Sequence, residues 1–173
     1  ALERLAEVDW IVEVVVERLP IKHALYERLE KVRQPGSVIT SNTSGLRLRE
    51  LIEGRSAAFR QDFLITHFFN PPRYMTLCEI IAGPETRADA AARVERFIRV
   101  ELGKVTVPAR DTPSFIGNRI GVVFLLAGVH RALELGLTPE QADAVAGKPM
   151  GLPGTGVFGL VDLVGLDVLA DVC

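Results

Sequence analysis

Trp10-Ile-Val-Glu-Val-Val-Val16, then Pro20 and a run to Lys31, then Pro35-Gly36 and Ser37-Val-Ile-Thr-Ser41, is the stretch that sets the fold. Trp10 to Val16 is nearly all apolar and β-branched, the pattern of a strand covered on both faces as in a parallel sheet, with Glu13 its interruption. Pro20 suits the first position of a helix, and Ile21, Ala24, Leu25 and Leu29 then fall on one face. Pro35-Gly36 closes that unit, Ser37 to Ser41 reads as a second strand, and a polar turn from Asn42 to Gly45 leads to a short helix near Leu48 to Ile52.

Working outward, Phe63 to Phe69 is a third strand ended by Pro71-Pro72, and Leu77 to Ala82 is a fourth that returns beside it. Thr86 is expected to cap the next helix, with Asp89 completing a capping-box-like pair, Ala91, Val94, Ile98 and Leu102 as its buried stripe and Gly103 as its stop. Lys104 to Pro108 is a fifth strand. This alternation predicts an α/β layer with a mostly parallel sheet. After Asp111 the pattern is helical only: Ser114 to Leu135, closed by Gly136, then a helix opened by Thr138-Pro-Glu-Gln141. The first of these is apolar on most faces, which implies burial in a bundle or in a subunit interface.

The composition excludes several classes. With 173 residues, 48% of them apolar, the chain can bury a full core. A formal charge of −2, from 20 basic and 22 acidic residues, supplies no field for nucleic acid or an anionic membrane. The apolar stretch Val122 to Val129 is too short to span a bilayer. Cys78 and Cys173 suit neither a disulfide framework nor a zinc site, so a reducing, cytoplasmic setting is expected and no metal is assigned. Both ends read as cut.

Gly154-Thr-Gly156-Val-Phe-Gly159 matches the G-x-G-x-x-G dinucleotide fingerprint, but that fingerprint works only between a strand and a helix. Here Lys148-Pro-Met-Gly-Leu-Pro153 precedes it, and the stretch is read as an irregular loop; a dinucleotide-phosphate loop is expected upstream of Ala1. His67, at a strand end, is either a proton acceptor or a structural histidine, and Glu79 on the returning strand is placed to fix its tautomer. Ser41-Asn-Thr-Ser44 lies at a carboxyl-terminal strand end, where open α/β sheets bind ligands, but taken alone it reads first as a self-satisfied turn. Asn118 is polar within an apolar helix and needs partners.

Taken together, Ser41-Asn-Thr-Ser44-Gly, His67-Phe-Phe-Asn-Pro, Leu77-Cys-Glu79-Ile-Ile, Asp111-Thr-Pro-Ser-Phe-Ile-Gly-Asn118-Arg, Pro149-Met-Gly and Asp162-Leu-Val-Gly-Leu-Asp resemble the 3-hydroxyacyl-CoA dehydrogenase family in content, order and spacing. The resemblance implies NAD as cofactor and an L-3-hydroxyacyl-CoA substrate. His67 matches the family's catalytic base, Glu79 its carboxylate partner, and Ser44 and Asn118 two substrate-contacting polar residues. Glu17, Lys22 and Asn42 match positions that approach the NAD ribose and nicotinamide. It further implies that residues 1–109 form the later part of a Rossmann-type NAD-binding domain, that 110–173 begin a helical domain used in homodimers, and that the segment alone is inactive. The sequence departs from the family at Ser114, where Gly is usual; helix capping is the reading given to it. Pro71-Pro-Arg-Tyr-Met75 resembles long members fused to an enoyl-CoA hydratase, and a non-catalytic structural or assembly segment is the competing reading.

Overall fold

The computed structural model describes residues 2–152 and 154–166. Pro153, the Asp167 that ends the Asp162 motif, and Cys173 lie outside the described residues. Contacts divide the chain into two compact units, residues 1–115 and 116–173.

The first unit is built on a sheet of five strands in sequential order: β1 (Trp10–Glu13), β2 (Val38–Ser41), β3 (Phe63–Phe68), β4 (Leu77–Ala82) and β5 (Val105–Pro108). β1, β2 and β3 run parallel, β4 returns antiparallel to β3, and β5 is parallel to β4. Between them lie α1 (Leu19–Val32), α2 (Leu48–Leu51), α3 (Ala57–Gln61) and α4 (Ala88–Val100). Alternation along the strands splits the core into two layers. Ile11, Ile39, Phe63, Ile65 and Ile81 pack with Tyr26 and Leu29 of α1, Leu48 and Leu51 of α2, and Phe59 of α3. Val38, Leu64, Cys78 and Ile80 pack with Ala90, Val94 and Ile98 of α4. Each such large side chain contributes about 1.5–3 kcal/mol through burial. The result is a Rossmann-like α/β/α arrangement.

Several expectations are corrected here. β1 stops at Glu13 because the Glu13 carboxylate accepts the Val15 amide at 2.7 Å, diverting the chain from the ladder, and Val14 and Val16 are exposed. α1 buries Lys22, Tyr26 and Leu29, whereas Ile21 is 40% exposed, so its inner face is rotated from the apolar stripe. Thr86 does not cap α4; its hydroxyl accepts from the Gly83 amide and donates to the Phe63 carbonyl, and Arg87 takes the cap position. α4 ends before Leu102, which is exposed. The short α3, capped by Ser56 through the Phe59 amide, had no sequence assignment.

Trp10 pins β1 to its neighbour: its indole N–H donates to Thr40 Oγ1 at 3.0 Å and its ring meets Phe97 edge-on at 5.5 Å. Asp62, buried between Arg33 and Arg87 at 2.8 and 2.6 Å, joins the end of α1 to the start of α4.

The second unit contains α5 (Gly117–Glu134), α6 (Pro139–Val145) and α7 (Gly156–Val164). α5 begins at Gly117 rather than Ser114, since Ser114 and Phe115 hold left-handed backbone at φ +60° and +42°. Ser114 therefore stands in a conformation that favours glycine, and the N-cap position of α5 falls to Ile116. α6 is opened by a Thr138–Gln141 capping box, as the sequence reading expects. No helix among the described residues is long and apolar enough to cross a membrane.

Candidate active site

His67 and Glu79 face each other because antiparallel pairing puts them opposite in the β3–β4 register. Both are buried, and His67 Nδ1 lies 2.7 Å from Glu79 Oε2. A carboxylate only accepts, so Nδ1 carries the proton, and in the neutral ring Nε2 presents its lone pair. Ser44 Oγ, 3.2 Å from Nε2, then donates to it. Ser44, His67 and Glu79 form one hydrogen-bonded chain. Phe69 and Phe115 stand 4.5 and 5.5 Å from the imidazole, centroid to centroid, and restrict water around it.

Ser44 is placed by the turn that follows β2. Glu17 accepts from the Thr43 hydroxyl, from the Ser44 amide at 3.0 Å and from the Gly45 amide at 3.2 Å. Burial pushes the Glu17 carboxyl up, but the Thr43 hydroxyl, the Lys22 ammonium and the Gly45 and Ser44 amides outweigh it, so the group lies below its ordinary range. Asn42 bridges two strand ends: its amide donates to the Glu13 carbonyl at 2.9 Å, and its side-chain oxygen accepts from the Phe68 amide at 2.9 Å. The Asn70–Pro71 bond is cis.

Lys22 is fully buried, and its ammonium meets Glu13 Oε1 and Oε2 at 2.8 and 3.0 Å and Glu17 Oε2 at 3.3 Å. Glu13 also accepts from the Tyr26 hydroxyl and the Ser41 hydroxyl, each at 2.7 Å. Burial first, and then the Glu13 charge, pushes the Tyr26 phenol up, which keeps it a donor. Sequence reading missed Glu13, Tyr26 and Thr43 as parts of this cluster. The available signal was an acidic residue inside an apolar strand, which requires buried partners, with a lysine nine residues on. Cys78, although next to Glu79, is chemically quiet, since burial raises its thiol to about 12.

The residues of the first unit thus gather at the carboxyl ends of β1, β2 and β3, the edge where open α/β sheets bind ligands. Glu17, paired to the fully buried Lys22, and Asn42 lie on the β1–β2 side and Ser44 and His67 on the β2–β3 side, a division that suits a dinucleotide beside a smaller reacting group. Asn118 lies on the first turn of α5, in the helical unit.

The G-x-G-x-x-G match has a different explanation. Gly156 opens α7, so the stretch is a helix start rather than the irregular loop expected, and a 3₁₀ turn, not a strand, precedes it. Its amides already hold an anion: Asp143 accepts from Phe158 at 2.7 Å and from Gly159 at 2.9 Å. A Cβ on Gly156 would come within 2.5 Å of the Asp143 side chain, which accounts for the glycine there.

Comparison with known proteins follows the same lines. Residues 1–112 match the family model for the NAD binding domain of 3-hydroxyacyl-CoA dehydrogenase, and residues 115–173 match that for its C-terminal domain. A Bacillus subtilis protein described as "Probable 3-hydroxyacyl-CoA dehydrogenase" is 45% identical over 98% of the chain and 22% of its own length. One of the same description from Deinococcus radiodurans is 39% identical over 99% of the chain and 49% of its own length. Among solved structures, (S)-3-hydroxybutyryl-CoA dehydrogenase from Ralstonia eutropha superposes with a TM-score of 0.88 at 28% identity, covering 99% of this chain and 59% of that one. The chain spans about half or less of the length of these two curated relatives. With both domain models matched in order along nearly the whole sequence, the chain belongs to the 3-hydroxyacyl-CoA dehydrogenase family.

Proposed function

We propose that the chain carries out the proton chemistry of NAD-dependent oxidation of L-3-hydroxyacyl-CoA to 3-ketoacyl-CoA, in fatty-acid β-oxidation. The observation that carries this reading is the hydrogen-bonded chain from Ser44 through His67 to Glu79. His67 Nε2 takes the proton of the 3-hydroxyl, a role suited to an imidazole held as the Nδ1–H tautomer. Buried Glu79 favours the imidazolium that results and keeps the ring from rotating. Ser44 hydrogen-bonds the reacting oxygen, and Asn118 supplies a second polar contact to the substrate from the helical domain. Glu17 and Asn42 form the cofactor side of the cleft, with Lys22 acting on it through Glu17. NAD, when bound, supplies the hydride acceptor.

Residues 1–109 are proposed as the NAD-binding part and 110 onward as the start of a dimerisation domain that pairs two copies through α5. A cytoplasmic setting goes with this reading. In a longer protein the chain is proposed to adjoin an enoyl-CoA hydratase domain.

The test is NADH formation from L-3-hydroxybutyryl-CoA and from a longer L-3-hydroxyacyl-CoA, by the chain and by any longer protein that contains it. His67→Ala is expected to lower kcat by about 10²–10⁴-fold, the usual worth of a general base, with NAD affinity nearly unchanged. Glu79→Gln should act in the same direction. A folded longer protein that oxidises neither substrate, or a His67→Ala variant of it that keeps its turnover, would overturn the reading.

A further inference from the structure

We propose that Glu13 is a positioning residue: through Lys22 and Glu17 it fixes the Thr43–Gly45 turn, and so the register of the Ser44 hydroxyl against His67. This rests on the function proposed above, but its structural content is independent of it.

The connection is continuous. Glu13 sits at the last paired residue of β1, opposite Ser41, and is 3% exposed. Its two oxygens receive Lys22 twice, the Tyr26 and Ser41 hydroxyls and the Val15 amide. An ammonium buried as completely as Lys22 must be neutralised in place, and Glu13 takes the shorter contacts, at 2.8 and 3.0 Å against 3.3 Å to Glu17. Glu13 therefore sets where the Lys22 charge stands. Lys22 in turn sets one oxygen of Glu17, and the other oxygen collects the Thr43 hydroxyl and the Ser44 and Gly45 amides. Ser44 leaves that turn with its hydroxyl 3.2 Å from His67 Nε2. A second contact between Glu13 and the same turn runs through Ser41, whose hydroxyl donates to Glu13 and accepts from the Thr43 amide at 3.3 Å. Glu13 thus reaches the turn by two routes, one ionic through helix α1 and one through the end of β2, while itself buried.

A residue that merely held the fold together would act on stability everywhere; a positioning residue acts on one turn. Glu13→Gln keeps the shape and removes the charge. Should the unpaired Lys22 prevent folding, Glu13→Gln combined with Lys22→Gln removes both charges and leaves Glu17 equally without its tether. The first readout is amide hydrogen exchange on the whole chain. Exchange at Ser44 and Gly45 should quicken by about tenfold while the β3 and β4 amides keep their protection. Unchanged exchange at Ser44 and Gly45, or a uniform rise across the sheet, would overturn the proposal. The second readout is a double-mutant cycle in the active protein. Glu13→Gln should lower kcat more than the KM for acyl-CoA, by about tenfold in the wild-type background and under about twofold when Ser44 is already Ala. Equal losses in both backgrounds would show that Glu13 does not act through Ser44. If the wild-type protein proves inactive, the dehydrogenase reading fails while the exchange measurement still decides whether Glu13 holds the turn.

Discussion

At the scale of single residues, charges in this molecule are placed by what surrounds them rather than by their spacing in sequence. Glu17 shows this in its pH dependence. Its carboxyl is lowered in the folded chain by the Thr43 hydroxyl, Lys22 and two amides, which together outweigh burial. Its contribution to stability is therefore complete above the unfolded value of about 4.3 and is lost as pH falls through the folded value. The expected outcome is that Glu17→Gln is less stable than wild type to urea at pH 7, and that the difference shrinks as acidification passes through the lowered folded value. A difference that is the same at pH 3 and pH 7 would remove the charge from the account. Lys22 and Tyr26 make the complementary point. Both are polar residues on the inner face of α1, and both are there because Glu13 waits at the end of β1. A hydrophobic stripe drawn through Ile21, Ala24, Leu25 and Leu29 cannot find them, since the attraction is to a partner on another element.

At the scale of elements, the boundaries record which polar groups found local partners. β4 matches its apolar run end to end, and β3 matches to within a residue, because their faces are buried on both sides of the sheet. His67 and Glu79 were legible for the same reason: once two strands return on each other, register places them opposite. Thr86 misled because a hydroxyl beside a helix has several possible acceptors and donors, and the sequence does not say which one it takes. Asp111, two residues from the proline of its motif, gives its carboxylate to the Leu48 and Arg49 amides at 2.7 and 3.3 Å, so the Asp-Thr-Pro block anchors the start of α2. Asp111→Ala is expected to cost about 0.5–2 kcal/mol by removing that cap, seen as a lowered urea midpoint with unchanged slope. Ser114→Gly should do the opposite. Releasing a left-handed serine from its steric strain is worth about 1 kcal/mol, a rise in Tm of about 2–4 °C for a chain of this size. A fall in Tm would show that the Ser114 side chain offsets the strain.

At the scale of the whole molecule, α5 leaves Ile120, Val123 and Leu133 well exposed, the apolar face expected of a helix that meets another subunit. If two copies pair through α5, Val123→Glu with Ile120→Glu should shift the sedimenting species from dimer to monomer without loss of helical signal. A wild-type chain that sediments as a monomer at all accessible concentrations would count against pairing. The helical domain itself was readable as helix from its caps and its long apolar run, but the Gly154–Gly159 stretch was not, because its anion is Asp143, a side chain from another helix. The chain contains a single tryptophan, Trp10, on the strand that ends in Glu13 and hydrogen-bonded to Thr40 of the neighbouring β2. Its fluorescence is thus a built-in optical probe of one strand: emission excited at the red edge reports the seating of β1 on β2 and against Phe97 of α4, with no label to attach and no other indole to subtract.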